Sequence, residues 1–257
     1  MVQRMKKRIL CILIPAFTLV FSFSCIESVG TVKRIYSNFE ERKLYTQLSE
    51  LCTGTADTGT ADTGTALGSD DYFIDHKLLL MKNSDYTFYL RQRDTGIDYP
   101  VVRESFRDQY LHKDFLGNDS GTGTLFVACD NDPVNDRQVI IYGHHMRDGQ
   151  MFGKLKIFKD SERFNNSGVL YLYSPDGVKK LTPLAVLNAC DTDERLLETC
   201  FPSDEEFSAF VKEVLSLSCT VCNDIELSDV KRIYTLLTCD YFEEDGSGRL
   251  LVYYGEI

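Results

Sequence analysis

A cysteine at position 239 and an arginine at 249 lie ten residues apart near the end of a 257-residue chain. Apolar, β-branched runs flank both: Ile233 to Thr238 leads into the cysteine, and Leu250 to Tyr254 follows the arginine. Each run has the composition of a buried strand, and the acidic, glycine-containing stretch between them has that of a loop. The two runs are therefore expected to form a β-hairpin. With its turn centred near Glu244, Cys239 and Arg249 fall opposite each other where the strands leave the loop. A guanidinium beside a thiol favours the reactive thiolate and can hold the oxyanion that forms when the thiolate attacks a carbonyl. The alternative is a buried structural cysteine next to a surface arginine.

Thiol chemistry on a peptide also needs a group that exchanges protons near neutral pH. The run Val139-Ile140-Ile141-Tyr142-Gly143-His144-His145-Met146 is a short apolar strand ending in glycine and two histidines. It delivers an imidazole at the strand's C-terminal edge, where it could protonate a leaving amine and deprotonate an incoming nucleophile. Two histidines in a loop could instead be structural, or adventitious metal ligands.

These residues need a scaffold of short strands. Tyr99 to Val102, Thr124 to Ala128, Val139 to Tyr142, Val169 to Tyr173, Leu181 to Leu187, Ile233 to Thr238 and Leu250 to Tyr254 all have strand character, which predicts a barrel or sandwich. The clearest helix in this region starts at Ser203. Its hydroxyl can cap the first turn while Glu206 completes a capping box, and Phe207, Phe210, Val211, Val214 and Leu215 then share one face. Upstream, Val32 to Leu51 carries apolar residues at 32, 35, 36 and 39 and again at 44, 45, 48 and 51, suiting one or two amphipathic helices. Thr53 to Ala66 repeats Thr-Gly-Thr-Ala-Asp with a period of five. A small, polar tract of that kind cannot bury a core and reads as a linker or loop.

At 43% hydrophobic residues the chain can bury one substantial core. Its first eight residues hold Arg4, Lys6, Lys7 and Arg8, and Ile9 to Ile26 is an uncharged, mostly apolar run. That run is just long enough to cross a bilayer as a helix with its basic flank inside, which predicts a single-pass protein of the cell membrane with a cytoplasmic N-terminus and an extracellular catalytic domain. A cleaved signal peptide, or a lipoprotein maturing at Cys25, competes with that reading. The net charge of −11, less these four positive charges, leaves −15 for the remainder, a balance that argues against nucleic acid as partner.

The chain has nine cysteines. Apart from Cys11, Cys25 and Cys239, six remain: Cys52, Cys129, Cys190, Cys200, Cys219 and Cys222. Sequence alone cannot pair them. Cys219-Thr220-Val221-Cys222 has redox or zinc spacing, but no second close pair completes a zinc site except His144-His145, which the catalytic reading already uses, and structural cysteines are the expectation.

Gly143-His144, Thr235-Leu236-Leu237-Thr238-Cys239 and Arg249 together resemble the His, Cys and Arg triad of the sortases, membrane-anchored transpeptidases of Gram-positive bacteria. More narrowly, the chain is similar to class B. Gly96-Ile97-Asp98-Tyr99-Pro100-Val101-Val102, Tyr110-Leu111 through Phe115-Leu116-Gly117, Gly121 to Phe126, Ile140 to Phe152 with Met151-Phe152-Gly153-Lys154-Leu155, and the Cys and Arg hairpin carry the likeness in order. It covers about residues 83 to 257. The resemblance implies a mainly β fold, a sortase-type β-barrel with N-terminal helices and a helix inserted before the catalytic strand. It divides the chain into a basic flank (1–8), an anchor or signal peptide (9–26), a membrane-proximal helical segment with the repeat linker (27–82) and a catalytic domain (83–257).

The same resemblance implies a function. Cys239 would attack the carbonyl of a threonine in a substrate protein's C-terminal sorting signal, giving a thioacyl-enzyme. His144 would serve as acid and then base, and Arg249 would steady the substrate and oxyanion. The acceptor would be a peptidoglycan peptide amine or a pilin lysine, with no metal or organic cofactor. Leu111, Tyr142 and Asp240 match positions that line the class B signal groove. Leu237 stands where the family often has serine, Arg107 where it often has asparagine, and Tyr86-Thr87-Phe88-Tyr89 where it often has a tryptophan. Two other readings stay open: a hydrolytic thiol peptidase, and a membrane-tethered binding protein with a degenerate sortase-like fold.

Overall fold

The computed structural model describes residues 28–33, 35–55, 72–190, 193–222, 226–239 and 248–257, with the side chains of 53–55, Cys190 and Cys239 excepted. By internal contacts the chain divides into two units, Met1–Lys43 and Leu44–Ile257. The first helix, α1, is helical over 28–33 and 35–52. It is followed by β1 (Thr53–Thr55), which pairs antiparallel with β2 (Tyr72–Ile74). Most of the repeat tract, from residue 56, falls outside the described residues.

A short helix α2 (His76–Lys82) begins under the cap of Asp75, whose carboxylate accepts the Leu78 N–H. The barrel strands follow: β3 (Tyr86–Gln92), β4 (Ile97–Arg103), β5 (Leu125–Val127) and β6 (Gln138–Tyr142). Helix α3 (Ser161–Asn165) precedes β7 (Leu170–Ser174) and the long β8 (Gly177–Cys190). Helix α4 (Asp204–Leu217), the short β9 (Thr220–Val221), β10 (Arg232–Cys239) and β11 (Gly248–Glu256) complete the chain.

The sheet runs β11-β10-β6-β5-β4-β3-β7-β8-β9, and β11 also pairs with β8. That pairing closes eight strands into a barrel, with β9 appended outside the ring. Closure removes the open edges that would otherwise expose unpaired backbone. Two neighbours are parallel, β4 with β5 and β6 with β10, and the rest are antiparallel. The mainly β fold with helices is thus the one expected. Strand β3 is an addition to the seven runs that the sequence pattern picks out.

Alternation along the strands creates two apolar layers. Tyr234, Leu236, Leu250, Val252 and Tyr254 point into the central core with Tyr89, Val101, Leu125 and Phe152. Ile233, Leu237, Leu251 and Tyr253 face the other way, where α4 covers them with Phe207, Phe210, Val211 and Val214. Helix α4 begins as its sequence predicts, with the Ser203 hydroxyl accepting the Glu206 N–H at 3.2 Å.

Of α1's apolar set, Tyr45 and Leu48 join the central core, while Val32, Ile35, Tyr36, Phe39 and Leu51 are each more than 60% exposed. Positions nine apart lie on opposite sides of a helix, so 36 and 45, or 39 and 48, cannot share a face.

The expectation of a single-pass membrane protein is corrected here. Among the described residues no helix is long and apolar enough to cross a membrane, and the run 9–26 on which that expectation stood lies outside them. An apolar stretch of that length has the composition of a span, but composition does not by itself make a spanning helix.

Cys52, Cys129, Cys200, Cys219 and Cys222 are free thiols. Cys219 and Cys222 flank the two residues of β9, and their N–H groups bond the carbonyls of Val186 and Leu184 on β8. In an extended segment a spacing of three puts side chains on opposite faces. Accordingly Cys219 is exposed while Cys222 packs against the central core, a placement that suits neither a dithiol nor a chelate.

Candidate active site

The three expected chemical residues lie on or just past three adjacent strands, β6, β10 and β11. In the antiparallel pair β10–β11 the register runs from Arg232↔Glu256 to Cys239↔Arg249, so the cysteine and arginine backbones are direct partners. On the other side of β10, β6 runs parallel with Leu237 opposite Tyr142, and the Gly143 N–H continues the ladder to the Leu237 carbonyl at 3.1 Å. Two residues further along each strand bring His144 level with Cys239. Parallel strands end at the same side of a sheet, so the imidazole and the thiol-bearing residue emerge together, and Arg249 enters at that same end on the opposite flank.

Gly143 makes this approach possible. A Cβ there would lie 2.5 Å from Leu125 Cδ2 and 2.6 Å from Phe152 Cδ2, closer than side-chain carbons pack. Absence of a side chain lets β6 run out between two core residues just before the histidine.

The His144 ring is half-buried, and its Nε2 lies 2.7 Å from the Leu111 carbonyl oxygen. A carbonyl only accepts, so Nε2 carries a proton and Nδ1 is the nitrogen free to exchange one. The exposed His112 ring stacks on His144 at 5.9 Å between centroids, with the planes 22° apart. Behind the histidine, its backbone carbonyl accepts the Phe152 N–H at 3.1 Å, and His145 bridges to Met151.

Arg249 follows the strand alternation onto the face that Leu251 and Tyr253 present to the α4 layer. One of its Nη1 hydrogens is donated to the Gly248 carbonyl at 3.0 Å. Tyr142 stacks on Phe126, with centroids 5.3 Å apart and planes at 13°. Burial pushes its phenol up to about 12, an effect reinforced by Asp130 and Glu104 and opposed by Arg107. It therefore remains a neutral hydrogen-bonding group at physiological pH.

Of the six site residues read from the sequence, His144 and Leu111 are in direct contact, and Arg249 and Cys239 are cross-strand partners. Tyr142, the last residue of β6, precedes His144 by two. Only the backbone of Cys239 is described, and Asp240 lies outside the described residues. Sequence reasoning missed His112 and the Leu111 carbonyl. His112 directly follows a residue already singled out, so a titratable neighbour was in view, but a backbone acceptor leaves no mark in sequence.

No protein-family model matches the chain. The sortase B of Listeria monocytogenes is 30% identical over 171 residues, which cover 66% of this chain and 69% of that protein. Among solved structures, the Clostridium perfringens sortase B is 33% identical, with a TM-score of 0.65 over 70% of this chain and 98% of that one. Sortase B from Bacillus anthracis, in complex with AAEK1, is 27% identical, with a TM-score of 0.71 over 87% of this chain and 99% of that one. Similar to these sortases over most of its length and sharing their barrel, the chain belongs to the sortase B family of cysteine transpeptidases.

Proposed function

We propose that the protein cleaves a C-terminal sorting signal after a threonine and transfers the new acyl end to an amine of the cell wall. The observation that carries this reading is the convergence of His144, Cys239 and Arg249 at one end of β6, β10 and β11. Cys239 passes its thiol proton to His144 Nδ1 and attacks the threonine carbonyl, forming a C–S bond and a tetrahedral oxyanion beside Arg249. A guanidinium held there lowers the barrier because the negative charge exists only after attack begins. Collapse expels the amine of the next residue, which takes a proton from His144 and leaves a thioester on Cys239.

In the second half, His144 removes a proton from the acceptor amine, which attacks the thioester and releases the thiolate. The Leu111 carbonyl holds Nε2–H throughout, which keeps Nδ1 aimed for both transfers. Leu111 and Tyr142 line the signal groove beside the histidine, joined by Asp240 after the cysteine. The acceptor is a peptidoglycan peptide amine or a pilin lysine. The chemistry calls for no metal or organic cofactor, and surface proteins with C-terminal sorting signals are the donors.

Incubating the protein with a library of sorting-signal peptides, with and without an amine, and weighing the products tests this. The expected result is cleavage after threonine, with amide product when amine is present. Hydrolysis that amine never diverts would make the protein a thiol peptidase, and no cleavage of any peptide would leave it a binding protein.

A further inference from the structure

We propose that Tyr45, on helix α1 outside the barrel, is a positioning residue for His144. This rests on His144 being the acid–base group of the proposed reaction. The loop between Tyr110 and Thr124 supplies the carbonyl that holds the imidazole, and its far end is where Tyr45 reaches in. The Tyr45 hydroxyl donates to the Gly123 carbonyl at 2.8 Å and lies 3.1 Å from Thr124 Oγ1.

Those two residues touch the histidine's support directly. Gly123 has φ +62, a left-handed conformation that suits glycine. A Cβ on it would be 2.7 Å from the Leu111 carbonyl oxygen, 3.0 Å from the Tyr110 oxygen and 3.1 Å from His144 Cδ2. Thr124 ties the loop's two ends together, with its N–H donated to Tyr110 O at 3.3 Å and its hydroxyl to Lys113 O at 2.8 Å. Where Gly123 sits therefore decides where the Leu111 carbonyl sits, and that carbonyl orients the ring.

A second path leads from the same tyrosine. Tyr45 meets Tyr99 of β4 edge to face at 5.3 Å and 83°. Tyr99 Oη accepts the Met151 N–H at 3.3 Å, and the next residue, Phe152, donates its N–H to the His144 carbonyl. The two segments that grip His144, one at its ring and one at its backbone, thus both rest on the Tyr45–Tyr99 pair. Tyr45 is 4% exposed, and burial raises its phenol above the ordinary value, so the donor proton stays in place at any working pH.

A buried tyrosine could also be mere packing, so the test separates the two roles in the full chain. Tyr45→Phe keeps the ring and the Tyr99 contact but removes the hydroxyl. Ser49→Ala on the same helix removes a comparable bond to the barrel, Ser49 Oγ to Asp98 Oδ2 at 3.0 Å, and serves as control. Tyr45→Phe should lower kcat for sorting-peptide cleavage by about tenfold to a hundredfold with KM little changed, as small misplacements of a reacting group do. The His144 imidazole nitrogen NMR signals should lose the signature of a hydrogen-bonded Nε2–H, while Ser49→Ala changes neither.

Normal turnover in Tyr45→Phe, an unaltered His144 spectrum, or an equal loss in Ser49→Ala would overturn the proposal. Should Tyr45→Phe not fold, Thr124→Val loosens the same clamp from its other end, and wild-type turnover and spectrum there would overturn it equally. If His144→Ala itself stayed active, the acid–base reading would fall instead, and the NMR result on Tyr45→Phe would still show whether the hydroxyl orients that ring.

Discussion

Cys239, the last residue of β10, is the direct antiparallel partner of Arg249, the second residue of β11. Their Cα atoms are therefore held about 4.5–5.5 Å apart by the ladder itself rather than by a flexible loop. In the proposed reaction this register carries the Arg249 cation on the strand beside Cys239 before any substrate arrives, the condition for preorganised oxyanion stabilisation.

Arg249→Lys should therefore remain strongly impaired, by about 10²-fold or more in kcat, because lysine keeps the charge but loses the planar fork. Cys239→Ala should abolish both turnover and acyl-enzyme formation with the fold intact. Steady-state kinetics and intact-protein mass spectrometry measure both. Near-normal kcat in Arg249→Lys would reduce the arginine to a diffuse electrostatic role.

His144 and His145 should separate sharply. His144 has Nε2 on the Leu111 carbonyl, at the level of Cys239. His144→Ala is expected to cost about 10²–10⁴ in rate, and His145→Ala less than about tenfold. Single-turnover cleavage of a sorting peptide decides, and the reverse order would transfer the role to His145.

Gly143→Ala should destabilise by about 1–3 kcal/mol through overpacking, since the new methyl has no room between Leu125 and Phe152. The measurement is the urea midpoint at constant m-value. An unshifted midpoint would mean that β6 can leave the barrel by another path.

Acid should weaken the fold near α2. His76 Nδ1 lies 2.7 Å from Tyr86 Oη, and burial pulls the imidazole below its ordinary value, with Asp75 acting the other way. The unfolded chain then binds more protons than the folded one as pH falls through the ordinary value of about 6.5. Its contribution is complete above that pH and is lost progressively down to the depressed folded value. Urea unfolding at pH 7.5 and 5.5 should show a loss in the wild type that is smaller in His76→Gln. Equal losses in the two proteins would assign the acid sensitivity elsewhere.

Much of the site was legible because hairpins are symmetric about their turns. Apolar runs on either side of a loop put residues 239 and 249 level, and the register bears that out. The start of α4 was legible for a similarly local reason, since the Ser203 cap and the apolar spacing after it are read within two turns. Strand β3 was harder to see. Its Phe88, Tyr89 and Leu90 are all buried rather than alternating, and it ends in Arg91, which packs its guanidinium 3.4 Å from the Tyr72 ring, and in a buried Gln92 bonded to Thr95 and Asp94. Polar residues satisfied by a ring elsewhere in the fold or by the turn that follows look in sequence like the end of a strand.

Side-chain types and periods of two or 3.6 residues are enough to read which residues could do the chemistry, the hairpin that opposes two of them, and the short-strand pattern of the scaffold. Long-range packing sets β6 parallel to β10, which brings His144 level with Cys239 across about 95 residues of chain. It also decided that a backbone carbonyl at Leu111 orients the ring, that a tyrosine on α1 braces that loop, and that Cys219 and Cys222 face apart. Those choices are made by chain packing and by main-chain groups common to every residue, so no local pattern of side chains encodes them.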